Sequence, residues 1–192
     1  MIIVPSRYSS SLGYFFYVII SIGDNMNEIY FKVPNKEDLK YRQKWMMDPD
    51  TMSYNAGCDV DYSGYNKETG TIYKSDEDML IWYEKWINHE PDRFFRYIHT
   101  DGIDEPIGEI YYYPNNNTHH MGILIQSKYR GLGYSYKALM ELERIAFEEN
   151  GINELHDEIP FDRVNAINLF KKSGFKQTDK DMVITKDMYF NK

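Results

Sequence analysis

Apolar and polar positions along this chain change period several times, and each change marks an element. Ile29, Phe31 and Val33 alternate with Tyr30 and Lys32, the period-two pattern of a strand exposed on one face. The period then lengthens. Asn35 can cap a helix with Asp38 three residues on, Leu39, Tyr41, Trp45 and Met46 supply its apolar face, and Pro49 stops it. Residues 50–74 show no period and read as loop. Ser75 with Asp78 resembles a capping box. Behind it Met79, Trp82, Tyr83, Trp86 and Ile87 recur at helical spacing until Pro91 ends the run, and the tryptophans read as core packing.

Three strand patterns follow, Phe94–His99, Ile107–Tyr113 and His120–Ile125, joined by the turn signals Asp101-Gly102 and Pro114-Asn115-Asn116-Asn117. That order predicts a meander. Ala138, Leu139, Leu142, Ile145 and Ala146 then define an amphipathic helix closed by Asn150-Gly151. A short strand is expected over Leu155–Ile159. Asp162 is the expected cap of a helix carrying Ala166, Ile167, Leu169 and Phe170 and stopped by Gly174, and Val183, Thr185 and Met188–Phe190 are expected to supply the last strands. There is no internal repeat or low-complexity tract.

Composition narrows the class. A chain of 192 residues with a 42% hydrophobic fraction can bury one sizeable core, which reads as one domain over residues 26–192. Residues 1–25 differ from the rest. Arg7, a serine run and the apolar stretch Leu12–Ile20 resemble a short secretory leader, and the favoured reading is an extension upstream of a start at Met26. No run approaches the roughly 20 apolar residues that span a bilayer. The single cysteine, Cys58, excludes an intrachain disulfide and a cysteine-held zinc, so a cytoplasmic protein without membrane partners is expected. Net charge is −8, the wrong sign for a protein that neutralises nucleic-acid phosphates. All of that excess lies in residues 35–110, where 9 basic residues stand against 17 acidic ones.

Candidate chemistry concentrates in Ile123-Leu124-Ile125-Gln126-Ser127-Lys128-Tyr129-Arg130-Gly131-Leu132-Gly133-Tyr134-Ser135, a strand, a glycine-containing turn and a helix start. Amides at a helix start have no partner within the helix, and the macrodipole adds positive charge, so anionic oxygens bind there. Gly131 and Gly133 remove side chains that would hold a diphosphate away, and Arg130 adds a cation. The segment lacks the Lys-Ser/Thr of a nucleoside-triphosphate loop. It also follows a meander, where a dinucleotide fingerprint would follow a chain-opening strand.

Arg130-Gly131-Leu132-Gly133-Tyr134-Ser135 resembles the acetyl-CoA loop of the GNAT N-acetyltransferase superfamily, with Ser in place of the final Gly or Ala. A second match lies downstream, where Ala166-Ile167-Asn168-Leu169-Phe170-Lys171-Lys172-Ser173-Gly174-Phe175 is similar to the family's helix and strand start. The resemblance implies an α+β fold, a mixed, mostly antiparallel sheet flanked by about four helices. It implies that the sheet splays beside the motif strand, so that the Ile123, Leu124 and Ile125 backbone bonds the pantetheine arm. Acetyl-CoA is the implied co-substrate, held also by Leu132, Tyr134, Ser135, Asn165 and Phe170.

In that family the early helices and their connecting loop shape the acceptor site. Here these are residues 35–92, the acidic part of the chain, which predicts a cationic amine on a small molecule or peptide. Direct transfer in a ternary complex needs a base to take the amine's proton. His119, six residues before Ile125, stands where some members carry a catalytic Glu, and Glu109 on the preceding strand is the other candidate. Phe170 occupies the position where the family often places a thiolate-protonating Tyr, which leaves Tyr134 or Tyr136, or no protein acid at all. His119 and His120 are adjacent in a strand and point to opposite faces, so no metal is expected. A homodimer is left open, and the competing reading is a non-catalytic acyl-CoA-binding or regulatory module.

Overall fold

A computed structural model describes residues 28–192; the leader-like segment 1–25 and the start at Met26 lie outside the described residues. Strand β1, Ile29–Lys32, leads into a short 3₁₀ turn, Lys36–Asp38, and helix α1, Leu39–Met46. Asn35 and Asp38 form the reciprocal capping pair that their spacing predicts. Pro49, expected only as a stop, opens a second helix, α2, Pro49–Met52. Asp48 caps it, and proline suits a first helical position because its missing N–H has no partner there anyway. The stretch expected to be loop from residue 50 therefore begins as a helical turn.

Helix α3, Asp76–Trp86, starts at the Ser75–Asp78 capping box and ends before Pro91 is reached. The meander is β2, Phe94–Thr100, β3, Ile103–Asn115, and β4, Thr118–Ile125. Helix α4, Tyr134–Arg144, closes with a wider π turn, Ile145–Glu149. Strand β5 is Glu154–Asp157, shorter than the expected 155–159. Helix α5, Val164–Ser173, has Arg163 rather than Asp162 at its N-cap and no side-chain cap there; Asp162 only accepts the Val164 N–H through its main chain. Gly174 stops α5 at φ +113°, a left-handed geometry. Strands β6, Lys176–Gln177, and β7, Met182–Thr185, follow. Met188–Phe190, expected as strand, is instead in helix α6, Lys186–Phe190, because Thr185 caps the Met188 N–H and turns the chain out of the sheet.

The seven strands form one sheet in the order β1-β2-β3-β4-β5-β7-β6, antiparallel everywhere except between β4 and β5. That parallel pair is the one that needs a crossover, and α4 makes it. Along most of each strand the side chains alternate between faces. On one face Phe94, Ile110, Tyr112, Met121 and Ile125 pack with Leu139 and Leu142 of α4 and with Ile167 and Phe170 of α5. On the other Phe95, Tyr97 and Leu124 pack with Trp45 of α1, with Trp82, Trp86 and Ile87 from α3 and its end, and with Tyr111. Each fully buried aliphatic or aromatic chain of this kind contributes about 1.5–3 kcal/mol. Close approach at the sheet centre requires glycine at two places: a Cβ at Gly108 would run into the carbonyl oxygen of Leu124, and one at Gly122 into the Tyr111 ring.

Candidate active site

Strands β4 and β5 are paired over only two residues, His119 with Leu155 and His120 with His156. Beyond that pair β4 runs on through Met121–Ile125, about 13 Å of strand, while β5 ends at Asp157. The sheet therefore opens into a wedge beside the motif strand. Which groups face the opening follows from the ladder with β3. The Gln126 N–H bonds the Ile107 carbonyl at 3.0 Å, so alternation makes Leu124 and Glu109 the next bonded pair. Leu124 thus spends its main-chain groups on β3, contrary to the expectation for all of 123–125, and the groups of Ile123 and Ile125 face the open edge. Ile125 confirms the direction, since its carbonyl accepts from Arg130 Nε at 3.1 Å.

The wedge leads to the glycine-containing turn. After a 3₁₀ turn over Ser127–Tyr129, Gly131 and Gly133 adopt φ +75° and +81°, and Gly133 is the N-cap of α4 with no side chain capping it. The Tyr136 and Lys137 amides turn back to the Gly133 carbonyl, and those of Tyr134 and Ser135 lie in the first turn, where no helical acceptor exists. A side chain at Gly131 would point into open space. Leu132 is half exposed and Tyr134 is buried in the core below.

Arg130 does something the motif did not suggest. Besides Ile125, its guanidinium donates to the carbonyls of Asp50, at 3.3 Å, and Thr51. Thr51 is buried, its hydroxyl accepts the Ser127 N–H at 3.0 Å, and Asp48 accepts from Thr51. Arg130 is thus a strut tying α2 to the end of β4, rather than a cation extended beside Gly131.

The two candidate bases lie on opposite faces of the sheet. His119 shares a face with Tyr112, whose ring it meets edge-on at 5.6 Å, and burial lowers its pKa. Glu109 shares the other face with Tyr111 and Tyr97, is 3% exposed, and is paired through Oε1 with the buried Arg42 guanidinium. Its Oε2 is buried without a partner among the described residues. Trp82 stacks its ring 4.3 Å from that guanidinium. The Tyr97 and Tyr111 hydroxyls are pushed far up, first by burial and then by Glu109. His119 and Glu109 cannot converge on one substrate atom.

Phe170 is a core residue, 2% exposed, with its ring 4.8 Å from that of Phe175. Asn165 is exposed on the first turn of α5. Tyr136 stands under the Lys172 ammonium at 4.4 Å, away from the opening. His120 stacks on His156 at 5.9 Å, on the face opposite His119. A groove of about 1030 Å³ between β1 and α4, lined by Glu28, Tyr30, Arg96 and Arg144, is remote from the wedge. Two groups at the wedge carried no sequence signal. Asp157 ends β5, and Arg163 reaches across to stack 4.7 Å over Tyr54.

A family profile described as an acetyltransferase (GNAT) domain matches residues 29–176. This chain belongs to the GNAT acetyltransferase family. It is an N-acetyltransferase, and acetyl-CoA is its co-substrate. A search of curated protein sequences gave no match. Among solved structures, the enzyme is similar to the spermidine N-acetyltransferase of Vibrio cholerae in complex with CoA and spermine. The TM-score is 0.68 at 15% identity, over 85% of this chain and 98% of that one. An acetyltransferase of the GNAT family from Bacillus anthracis aligns with TM-score 0.63 at 14% identity, over 84% and 97% of the two chains. At these identities the likeness is one of fold.

Proposed function

We propose that this enzyme acetylates a primary amine carrying positive charge, with polyamines the first class to test, by direct attack in a ternary complex. The observation that carries the reading is the open edge of β4 leading, through the 3₁₀ turn at Ser127–Tyr129, to the glycine-opened start of α4. Ile123 offers its main-chain groups and Ile125 its N–H to an extended arm there, the Ile125 carbonyl being taken by Arg130, and the amides around Gly133–Ser135 offer a seat for a diphosphate. Leu132 and Asn165 flank that seat, and Phe170 acts from below as packing. The acetyl thioester supplies the electrophile; the protein's part is to hold it, orient the amine and remove a proton.

The acceptor enters from the α1/α3 face in this reading. That segment carries the whole net negative charge, −8, and its field concentrates cations. Half-buried Tyr111 and Tyr113 add ring faces that attract an ammonium. His119, behind the sheet from that side, and Glu109, engaged by Arg42, are both poorly placed as the base. The polyamine choice is supported by the bound spermine of the Vibrio cholerae enzyme, which shares the fold. A cytoplasmic location fits a co-substrate of that compartment, and among the described residues no helix is long and apolar enough to cross a membrane.

Release of CoA thiol tests the reading, with acetyl-CoA and a panel of spermidine, spermine, putrescine, an aminoglycoside and a peptide amino terminus. We expect turnover on a polyamine and binding of acetyl-CoA by calorimetry. Binding without turnover on any amine would sink the acceptor assignment.

A further inference from the structure

We propose that the Tyr111 hydroxyl donates a hydrogen bond to the sulfur of coenzyme A as it leaves the acetyl group, near the apex of the β4–β5 wedge. The inference rests on the reading above, in which the coenzyme's arm lies along the open edge of β4 with its diphosphate at Gly131–Ser135. Its sulfur end then lies toward the opposite limit of the opening, where the strands first part. The register locates that point. His120–His156 is the last β4–β5 pair, β5 ends one residue later at Asp157, and Gly122 stands two residues beyond His120 on β4.

Tyr111 reaches that place from the neighbouring strand. It pairs with Gly122 across the β3–β4 ladder and lies on the α1/α3 face, the side from which the acceptor enters in that reading. The bare Cα of Gly122 is what lets the ring lie over β4, because a Cβ there would stand 2.5 Å from both Cζ and the hydroxyl oxygen of Tyr111. Neighbouring strands are about 4.8 Å apart. The hydroxyl has therefore crossed from β3 to the strand that borders the opening. Trp86 meets the ring edge-on at 5.3 Å and Phe95 stacks on it at 5.9 Å, and together they fix its direction.

The hydroxyl is unengaged. Tyr111 is half-buried, and among the described residues its oxygen makes no hydrogen bond. A polar group this sheltered is normally bonded, so a donor held over the open strand without an acceptor points to one that a ligand brings. The other tyrosines considered for the sulfur lie elsewhere: Tyr134 is buried in the core, and Tyr136 stands under Lys172. Burial, and then the Glu109 carboxylate, pushes the Tyr111 hydroxyl far above the ordinary phenol range. It therefore keeps its proton and acts as a donor rather than as a proton source. A hydrogen bond to an ionised acceptor is about twice as strong as a neutral one, so this bond tightens as charge moves onto sulfur. Only an interaction that strengthens on the way to the transition state speeds the step.

Protons and electrons balance. The acceptor R–NH₃⁺ gives one proton to water, and its neutral nitrogen bonds the acetyl carbon. The carbon–sulfur bond breaks with its electron pair on sulfur, which the Tyr111 O–H holds. The nitrogen's second proton goes to water, and the thiolate takes one from water as it departs.

The test uses the full chain, wild type and Tyr111→Phe, a change that keeps the ring and its packing and removes only the O–H. Ultraviolet absorbance of the thiolate, followed against pH with CoA bound, reads the bond directly. The bound thiol should titrate about one pH unit or more higher in the variant, a loss of about tenfold in acidity. On the best amine of the panel kcat should fall about tenfold or more, with KM for acetyl-CoA and for the amine within about threefold of wild type. Equal midpoints, or an unchanged kcat, overturn the proposal. Loss of acetyl-CoA affinity in the variant alone also overturns it, because Tyr111 would then be a packing residue. Calorimetry with acetyl-CoA separates the two readings. Failure of the wild type to bind defeats the site assignment and this proposal together, whereas normal binding with equal midpoints defeats only the proposal. The titration needs no acceptor, so it decides the matter even where no amine turns over.

Discussion

Arg42 and Glu109 show how a single residue's role depends on its partner. Their side chains are 16% and 4% exposed, so each charge is sheltered from water and stabilised by the other. Breaking such a pair from one side leaves an uncompensated buried charge, a larger loss than removing both members. Arg42→Met should therefore destabilise the protein by about 3–5 kcal/mol in urea unfolding at neutral pH. The double variant Arg42→Met/Glu109→Gln should recover most of that. A single-variant loss under about 1 kcal/mol would mean that water screens the pair. Asp157 is the contrary case, a carboxyl that Arg163 influences without, among the described residues, hydrogen-bonding to it, and whose proton affinity is raised first by burial. Nothing in the sequence Leu155-His156-Asp157-Glu158 separates Asp157 from the other carboxylates of the chain.

At the scale of elements, most boundaries were readable because capping and stopping are local chemistry. The Asn35 and Ser75 capping pairs and the Gly174 stop form as their spacing predicts. The misreadings share a cause. Pro49, Asp162 and Met188–Phe190 each lie where two interpretations of a short segment compete, and a neighbouring cap, Asp48 for the first and Thr185 for the last, decided between them. The start of α4 is the element on which binding depends. Gly133→Asp puts a carboxylate beside amides meant for a diphosphate and asks a non-glycine residue to hold φ +81°. Acetyl-CoA affinity by calorimetry should fall about tenfold or more, with the far-ultraviolet circular dichroism unchanged; equal affinity would mean that the diphosphate sits elsewhere.

For the whole molecule, charge asymmetry is the property with a measurable consequence. The −8 excess confined to residues 35–110 sets an attractive field for a polycation. Fields between exposed charges are screened over about 10 Å at 0.1 M salt. Raising sodium chloride from 50 to 300 mM should accordingly raise KM for spermidine by roughly threefold or more, while kcat stays constant. A KM indifferent to salt would argue for recognition by contact alone. The same experiment with a neutral amine is the control, and its KM should not move.

The order of elements, the amphipathic helices, the glycine-opened start of α4 and membership of an acetyltransferase family were all legible in the chain alone. Each depends on residues a few positions apart, where period, caps and turn chemistry act. Sidedness and convergence were not legible. That His119 and Glu109 stand back to back, that Arg130 braces α2, and that Asp157 ends at the apex of the wedge follow from strand register and from where one parallel pair gives out. Those are fixed by packing between segments far apart along the chain, a balance that no local stretch of sequence contains.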